Sequence, residues 1–386
     1  MSPVVTGRGT YLPDDVLTNG DVAALADAEK LLAFVDANVW CRQRAAHLRA
    51  DGARTTEGSA LARRVFAEFV ERRVGIRERR VIDRSAIVGR RPGRRDFLSG
   101  DLGTRAAARA LAMAGLTGAD IDVVACGTST PNSLCPSTAV EIQHAIGAHT
   151  AFGFDVMAAC SSFVYAFASA AALVRAGTAQ RALVVAAEYF SAMVDWSDPA
   201  TSYFAGDGAA AVVLESDTLA GDRPGLAVRD TLCVSRYSDR IRTGMGGTHA
   251  FLAALPGGAP AASAPGEDGY RFFHQDGPSV YRDVLPLVEA TVRKLLARHD
   301  LAPSAVARWW VHQASLPMLD GLFKRLLGNR PSPDALPLPL ETIGNTSACG
   351  AAYCLAEDRG LAKGESGVLL AFGGGYTVGT VLLAAT

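Results

Sequence analysis

Short apolar runs alternate with longer alanine-rich or amphipathic segments along most of the chain. The short runs are typical of buried strands, and they lie at residues 4–11, 121–127, 182–187, 209–214, 309–311, 367–372 and 378–383. The longer segments have a helical period, as at residues 101–115, 137–146 and 280–299. This alternation predicts an α/β fold in which helices pack on the faces of a sheet.

Residues 154–166 join a strand-like run to an alanine-rich helical segment, and Cys160 lies at the junction. This position predicts a thiol at the N-terminus of a helix, where backbone N–H groups and the helix dipole favour a thiolate. Cysteine is also among the residue types that are most often buried. This stretch alone is equally compatible with a nucleophilic thiol and with an inert core thiol.

The order of these elements repeats in the second half of the chain. The stretch from Cys160 through the strand at 182–187 matches the stretch from Asn345 through the strand at 367–372 in order and approximate spacing. A glycine-containing turn also precedes one strand in each half, at residues 206–209 and 373–376. We interpret the match as an internal duplication, with halves at residues 1–220 and 221–386. It predicts that Cys160 and Asn345 stand at equivalent helix N-termini and face one shared site.

Residues from about 20 to 68 fit neither repeated half. They are helical in period and charged, and they show few strong core signals. We expect an insertion on the surface, outside the central sheet.

Charge is unevenly distributed along the chain. The 38 basic and 39 acidic residues give a net charge of −1, which provides no field that would draw the protein to nucleic acid or to a membrane. Residues 42–95, however, contain 16 arginines and six acidic residues. This excess predicts either a basic patch for an acidic partner or a solvated helical face.

Seven cysteines form no Cys-x-x-Cys pair, so neither a disulfide framework nor a zinc site is indicated. The first residues have no basic and apolar leader pattern, and no uninterrupted apolar run reaches the ~18 residues of a membrane span. We expect a soluble, cytoplasmic protein without a metal site.

Cys160, His312 and Asn345 stand at strand or helix ends of the two halves. Together they can carry out acyl transfer: a thiol attacks a carbonyl, an imidazole handles protons or charge, and an amide donates a hydrogen bond. The three glycines at 373–375 would let backbone N–H groups approach a ligand and form an oxyanion hole with the Cys160 N–H. A core histidine, a capping asparagine and a tight glycine turn are the ordinary structural explanations for the same residues.

Seven segments resemble motifs of one enzyme family in both order and chemistry. They are residues 7–19, 75–79, 154–166, 204–209, 311–314, 344–347 and 372–376. On these segments the chain resembles, over essentially its whole length, the β-ketoacyl-acyl-carrier-protein synthase III group of the thiolase superfamily. The resemblance implies the thiolase fold, with duplicated βαβαβαββ halves that give five layers in the order α-β-α-β-α.

The resemblance also implies catalytic roles for Cys160, His312 and Asn345, and an oxyanion hole formed by the N–H groups of Cys160 and Gly374. Cys160 would take an acyl group from acyl-CoA or an acyl-carrier thioester. A malonyl-carrier thioester would then lose CO2, and His312 and Asn345 would hydrogen-bond the enolate while its carbon attacks the acyl-cysteine. The product would be a β-ketoacyl thioester.

The same resemblance implies which molecules take part. The expected partners are an acyl carrier protein and acyl-CoA, the expected assembly is a homodimer, and no metal or redox cofactor is needed because thioesters drive the reaction. Acyl carrier proteins are acidic, which would explain the arginine-rich region at 42–95.

Four further positions bear on substrate choice. Phe69 stands where many family members have a tryptophan that stacks on the CoA adenine, and Arg73 matches an arginine that contacts phosphate. Ser315 begins Ser-Leu-Pro where the family has Asn-Leu-Arg, which removes an arginine of the carrier entrance. Cys135 replaces a phenylalanine that closes the acyl tunnel, so a longer or branched acyl group would fit. The long insertion resembles the subgroup that condenses medium-chain primers to β-ketodecanoyl-type products.

Three other functions are weighed against condensation. The acyl group on Cys160 could pass to an alcohol or amine in secondary metabolism, but Asn345 favours condensation because it mainly serves the enolate. Cysteine hydrolases use the same Cys-His-Asn order, but the residues around Cys160 lack a papain-like signature. A non-catalytic partner subunit usually lacks the nucleophile, whereas all three residues are present here.

Overall fold

A mixed sheet of nine strands runs through the computed structural model, which describes residues 1–50, 58–91, 93, 96–243 and 272–386. Two short two-stranded sheets lie outside it. The strands are β1 (Pro3–Tyr11), β2 (Asp15–Thr18), β3 (Glu78–Val81), β4 (Val123–Gly127), β5 (Phe152–Val156), β6 (Arg181–Glu188), β7 (Gly208–Ser216), β8 (Leu226–Ser238), β9 (Ile241–Arg242), β10 (His274–Gln275), β11 (Arg308–Val311), β12 (Ser366–Gly373) and β13 (Gly375–Ala385).

The helices lie between these strands in the sequence. They are α1 (Asn19–Leu25), α2 (Ala28–Ala37), α3 (Val39–Ala50), α4 (Ser59–Phe69), α5 (Arg84–Gly89), α6 (Ser99–Ala114), α7 (Thr138–Ala145), α8 (Ser162–Arg175), α9 (Asp217–Ala220), α10 (Gly277–Ala297), α11 (Leu316–Leu327), α12 (Leu340–Ile343) and α13 (Cys349–Ala356). A π-helical turn, Val70–Val74, extends α4.

The large sheet consists of two sets of strands with matching order and direction. It runs β5-β4-β6-β7-β1 and continues as β8-β13-β12-β11. Counted outward from the join, the first strand of each set is antiparallel to the second, the second is antiparallel to the third, and the third is parallel to the fourth. The sets join where β1 pairs with β8. The pattern repeats as an internal duplication requires, while the boundary at residues 220 and 221 stays a prediction.

Neighbouring residues of one strand face different cores, because side chains alternate across a sheet. In β6, Val184 faces a central core with α8 and α13, whereas Leu183 faces a second core with α6 and α7. In β12, Leu369 faces the central core, and Leu370 faces a third core with α10 and α11. Helices α8 and α13 thus lie between the two sets of strands. Helices α6 and α7 cover the outer face of one set, and α10 and α11 cover the outer face of the other. The predicted α/β fold with five layers is confirmed.

The insertion lies outside the large sheet, as expected, but it builds a core of its own. Leu31 of α2, Cys41 of α3 and Phe66 of α4 are each 0% exposed. They cluster with Phe204 and Leu340 from the body of the protein. The sequence showed few core signals here because each helix buries one narrow apolar stripe that its charged residues obscure.

Candidate active site

Cys160 lies in a sharp turn between β5 and α8. Ala159 precedes it with a φ of 49°, a left-handed conformation that is uncommon for a residue other than glycine. Ser162 Oγ accepts a hydrogen bond from the Ala158 N–H at 2.8 Å and donates one to the Ala159 carbonyl at 2.6 Å. Thr377 Oγ1 donates to the Ala158 carbonyl at 2.9 Å. These bonds hold the thiol immediately before Ser161, the residue that caps α8.

The glycine turn between β12 and β13 packs against Cys160. A β-carbon at Gly373 would lie 2.8 Å from the Cys160 nitrogen, so only glycine permits this approach. A β-carbon at Gly374 would lie 3.4 Å from the Ala159 β-carbon. The glycine backbone thus contacts the turn that carries the thiol, and the oxyanion-hole role of Gly374 stays a prediction.

His312 directly follows β11 and is 2% exposed. Its backbone N–H donates to the Leu370 carbonyl at 2.8 Å, and its ring packs edge-on against Phe372 with 5.6 Å between centroids. Burial lowers the pKa of the imidazole to about 4, and a hydrogen bond with the Ser347 backbone opposes this shift. The ring is therefore neutral at pH 7.

Asn345 lies between α12 and α13 and is 8% exposed. Its backbone N–H donates to the Phe204 carbonyl at 2.7 Å, and its side-chain Oδ1 accepts from the Ser347 N–H at 2.9 Å. Because this bond occupies the amide oxygen, the Nδ2 group is the end of the side chain that is oriented to donate to a ligand.

The predicted equivalence of Cys160 and Asn345 as helix N-termini is wrong. Helix α13 begins at Cys349, well after Asn345. Ala159 and Ser347 each have a φ of 49°, three residues before the start of α8 and two residues before the start of α13. Asn345 reaches the site from the segment that precedes this turn.

The Cys160 thiol is protonated at neutral pH. Burial raises its pKa to about 12, the Ser347 hydroxyl opposes the shift, and the Glu188 carboxylate adds to it. A helix N-terminus contributes at most about 2 kcal/mol, or roughly a factor of 30 in the ionisation constant. That is too little to produce the resting thiolate that the sequence position suggested. Attack by this sulfur therefore needs a proton acceptor.

One cavity of about 180 Å³ brings Cys160, His312 and Asn345 together. The rest of its wall is mostly apolar and aromatic, and it includes Phe190, Tyr203, Phe204, Ile241, Phe273, Val280, Val284, Met318 and Phe372. An apolar cavity with a few convergent polar groups is the usual form of a small-molecule site. A thiol, a neutral imidazole and an amide donor in such a cavity can form and break thioesters.

The four residues predicted to bind substrate are dispersed. Ser315 lines the cavity. Arg73 is exposed on the π-helical turn, and Phe69 is half-buried with its ring 6.1 Å from that of Trp40. Cys135 is exposed and does not line the cavity. The substrate roles of all four stay predictions.

Ser347 and Glu188 are site residues that the sequence reasoning missed. Ser347 Oγ lies 3.9 Å from Cys160 Sγ. Glu188 ends β6, is fully buried, and hydrogen-bonds the Ala348 N–H at 3.3 Å. The available signal was an acidic residue directly after the apolar run at 182–187, since a buried charge is costly and needs a reason.

Among the described residues, no group of three or more His, Cys, Asp or Glu side chains is arranged to hold a metal ion. In the same part of the chain, no helix is both long and apolar enough to cross a membrane.

Two family models match the chain. They are 3-oxoacyl-[acyl-carrier-protein (ACP)] synthase III over residues 154–229 and the C-terminal part of the same family over residues 296–385. A β-ketoacyl-[acyl-carrier-protein] synthase III of Chelativorans sp. is 34% identical over 330 residues, which cover 84% of this chain and 97% of that protein. The Paramagnetospirillum magneticum enzyme of the same name is 32% identical over 384 residues, with 98% of each chain covered.

A solved structure is similar over the same length. The 3-oxoacyl-(acyl carrier protein) synthase III of Pseudomonas aeruginosa is 29% identical, with a TM-score of 0.72 and coverage of 100% of this chain and 98% of that one. Its layers are those of the thiolase fold, and here the apolar cavity holds a half-buried thiol within the same fold, so the class is that of thiolase-fold acyltransferases. The chain belongs to the β-ketoacyl-[acyl-carrier-protein] synthase III family.

Proposed function

We propose that this enzyme moves an acyl group from a CoA or carrier thioester to Cys160 and condenses it with a malonyl-carrier thioester. In the first step, the Cys160 sulfur bonds to the acyl carbon and the thiolate of the donor leaves. In the second, the malonyl group loses CO2, the resulting enolate carbon bonds to the same acyl carbon, and the bond to Cys160 breaks. His312 and Asn345 donate hydrogen bonds to the enolate oxygen.

One observation carries this proposal: three residues far apart in the sequence line a single apolar cavity. The neutral His312 ring can donate a hydrogen bond without bringing a positive charge into that cavity. The fixed Asn345 oxygen directs the amide donor away from Ser347. Both features suit stabilisation of an oxygen that gains negative charge, the role that oriented donors have in dry active sites.

We propose that an acidic carrier protein binds the enzyme as the acyl donor or as the malonyl-carrying acceptor. In the arginine-rich region at 42–95, fewer arginine side chains are free to contact it than the number of arginines in the sequence suggests. Arg44 pairs with Glu68, Arg84 pairs with Asp21, and Arg79 is fully buried. Arg54, Arg94 and Arg95 lie outside the described residues. The exposed Arg72 and Arg73 carry no ion pair with a described residue, and they support a carrier contact at the end of α4.

We further propose a medium-chain or otherwise large primer. The apolar wall of the cavity supports this, because each buried methylene contributes about 0.8 kcal/mol to binding. Hexanoyl to decanoyl donors are therefore expected to acylate Cys160 at least about a hundredfold more efficiently than acetyl donors. Intact-mass kinetics with a panel of acyl-CoA and acyl-carrier thioesters would measure this. A preference for acetyl would refute the primer assignment.

Cys135→Phe provides the matched variant for the same panel. It is expected to move the preference toward short acyl groups and to leave the acetyl rate within about twofold. An unchanged chain-length profile would show that residue 135 does not close the tunnel. Because Cys135 does not line the cavity of its own chain, this role requires it to reach the tunnel of a second copy.

A homodimer is therefore part of the proposal, and the outer edge of β5 supports it. β5 is the last strand of the sheet on its side, and no other described strand pairs with its outer edge. Phe152 is 47% exposed, Met157 is 67% exposed and Leu134, beside Cys135, is 84% exposed. An unpaired edge with apolar side chains is a template for strand pairing, and a second copy can use the same edge about a two-fold axis.

Phe152→Lys is expected to convert the dimer to monomer at low micromolar concentration, because the charge would be buried between two copies. Light scattering coupled to size exclusion would measure the mass. Tyr237→Lys is the matched control, since Tyr237 is a 91% exposed aromatic residue on β8, away from that edge. A monomeric wild-type protein, or a Phe152→Lys variant that is still dimeric, would contradict the proposal.

A further inference from the structure

Glu188 carries a buried carboxylate that the reaction described so far does not use. Glu188 is the last residue of β6 and is 0% exposed. Its Oε1 accepts hydrogen bonds from the N–H groups of Ser129 at 3.0 Å and Ala348 at 3.3 Å, and its Oε2 accepts from Thr130 Oγ1 at 2.7 Å. It forms no ion pair within the described part of the chain. Among the described residues, its partners are hydrogen-bond donors and not cations.

Ser347 lies between this carboxylate and the thiol. Its hydroxyl donates a hydrogen bond to the Cys160 sulfur, with 3.9 Å between Oγ and Sγ, and its side chain is also among the groups that lower the pKa of Glu188. The left-handed backbone at Ser347 is sparsely populated for such a residue. The Ala348 N–H donates to Glu188 and the Ser347 N–H donates to Asn345, and these bonds fix the backbone that carries the hydroxyl.

His312 and Glu188 differ in how well they can accept the proton of the Cys160 thiol. Burial lowers the His312 pKa to about 4, which makes its imidazole a poor proton acceptor at neutral pH. Burial raises the Glu188 pKa to about 7, with the hydrogen bonds from Thr130, Ser129, Ala348 and Ser347 opposing the shift. General bases work best when their pKa lies near the working pH, and they can act through one intervening group.

We propose that Glu188 accepts the proton of the Cys160 thiol through the Ser347 hydroxyl during acylation. This rests on the acyl transfer proposed above. The thiol proton passes to Ser347 Oγ while the hydroxyl proton passes to Glu188, which becomes a carboxylic acid. The Cys160 sulfur bonds to the acyl carbon, and the donor thiolate that leaves takes a proton from solvent. When condensation later releases Cys160 as a thiolate, the proton on Glu188 returns by the same route.

Asp207, which directly precedes the Gly208 that pairs with Glu188, titrates in a similar range because burial raises its pKa to about 6, but it accepts its hydrogen bonds from Ile82 and Ser191. The other ionisable groups near Glu188 do not titrate in this range. They are the thiols of Cys126 on β4 and Cys349 on α13, in addition to Cys160 itself. Burial and the Glu188 charge both raise the pKa of each of these thiols, so they stay protonated at neutral pH. The acylation rate of the wild-type enzyme is therefore expected to rise with pH through a midpoint near 7, as Glu188 loses its proton.

The test is single-turnover acylation of the full-length enzyme, followed by mass spectrometry of the Cys160 peptide between pH 5.5 and 9. Glu188→Gln is expected to slow acylation by at least about a hundredfold and to remove the rise near pH 7. Ser347→Ala is expected to do the same. The double variant should be no slower than either single one, because both changes interrupt one route. Glu188→Asp should retain the rise at a reduced rate.

Glu215→Gln is the matched control. Glu215 is also fully buried, on the neighbouring strand β7, but it pairs with Arg181 and Arg223 instead of facing the thiol. Its variant should keep the wild-type pH profile even if the melting temperature falls. A Glu188→Gln enzyme that still shows the rise near pH 7 would overturn the proposal, as would a His312→Ala enzyme that loses it. Absence of acylation in the wild-type enzyme with every donor would instead refute the acyl transfer itself.

Discussion

Replacing Cys160 with alanine is expected to abolish transfer of an acyl group to this protein. Cys160 is the thiol in the apolar cavity that holds His312 and Asn345, and its turn is fixed by contacts from β12, β13 and α8. Alanine supplies no nucleophile, so neither the acyl-enzyme nor the β-ketoacyl product can form. Intact-mass measurement after incubation with an acyl-CoA should show no added acyl mass.

Cys233→Ala provides the comparison for this loss. Cys233 is an exposed thiol on β8 and does not line the cavity, so its removal should leave acylation at the wild-type rate. Acyl mass that persists in Cys160→Ala would mean that another thiol carries the reaction. The assignment of Cys160 as the nucleophile would then be wrong.

His312→Ala and Asn345→Ala are each expected to permit acylation but to slow condensation by roughly a hundred- to a thousandfold, the usual effect of removing one donor from a charge-stabilising pair. The His312 ring is neutral at pH 7 and the Asn345 amide is oriented by Ser347, so both side chains can donate hydrogen bonds to the enolate. Addition of a malonyl-carrier thioester to the pre-acylated variants, with CO2 release and loss of acyl mass followed together, would measure this step.

His299→Ala is the matched control for the imidazole, because His299 contacts Asp230 and does not line the cavity. Its condensation rate should equal that of the wild-type enzyme. Should His312→Ala fail to acquire the acyl group at all, the imidazole would be needed in the first step, which contradicts the division of roles between His312 and Glu188. If the Asn345→Ala variant condensed at the wild-type rate, the proposal that the Asn345 amide stabilises the enolate would be wrong.

Most of the sheet could be predicted because its strands are buried on both faces. Strands such as β6 place successive residues in two different cores, so the sequence shows an uninterrupted apolar run with no alternation. β8 escaped prediction for the opposite reason. It carries Arg229 and Arg236 on exposed positions, and it belongs to the sheet through its pairing with β13 and β1.

The members of the site could be predicted, but their ionisation could not. Cys160, His312 and Asn345 each stand near a strand or helix end that the pattern predicts. Burial by distant segments then raises the thiol pKa and lowers the imidazole pKa. No local pattern around residue 160 reports that burial. The sequence position suggested a thiolate at Cys160, whereas burial keeps this thiol protonated at neutral pH.

Glu188 and Ser347 were missed because their importance depends on position in space. A glutamate after an apolar strand and a serine before a helix are ordinary local features. Only the packing of α13 beside α8 brings the Ser347 hydroxyl to the Cys160 sulfur and the Ala348 N–H, one residue further on, to the Glu188 carboxylate. The cytoplasmic location, the substrate roles of Phe69, Arg73 and Ser315, and the medium-chain subgroup stay predictions.

The central claim is that Cys160 holds an acyl group which a malonyl-carrier thioester removes with loss of CO2. The most direct measurement is mass spectrometry of the Cys160 peptide before and after addition of the malonyl-carrier thioester, with CO2 measured in the same sample. We predict an acyl mass on Cys160 that disappears with release of one equivalent of CO2 and appearance of a β-ketoacyl thioester. An acyl group that remains on Cys160 until an alcohol or amine is added would contradict this account.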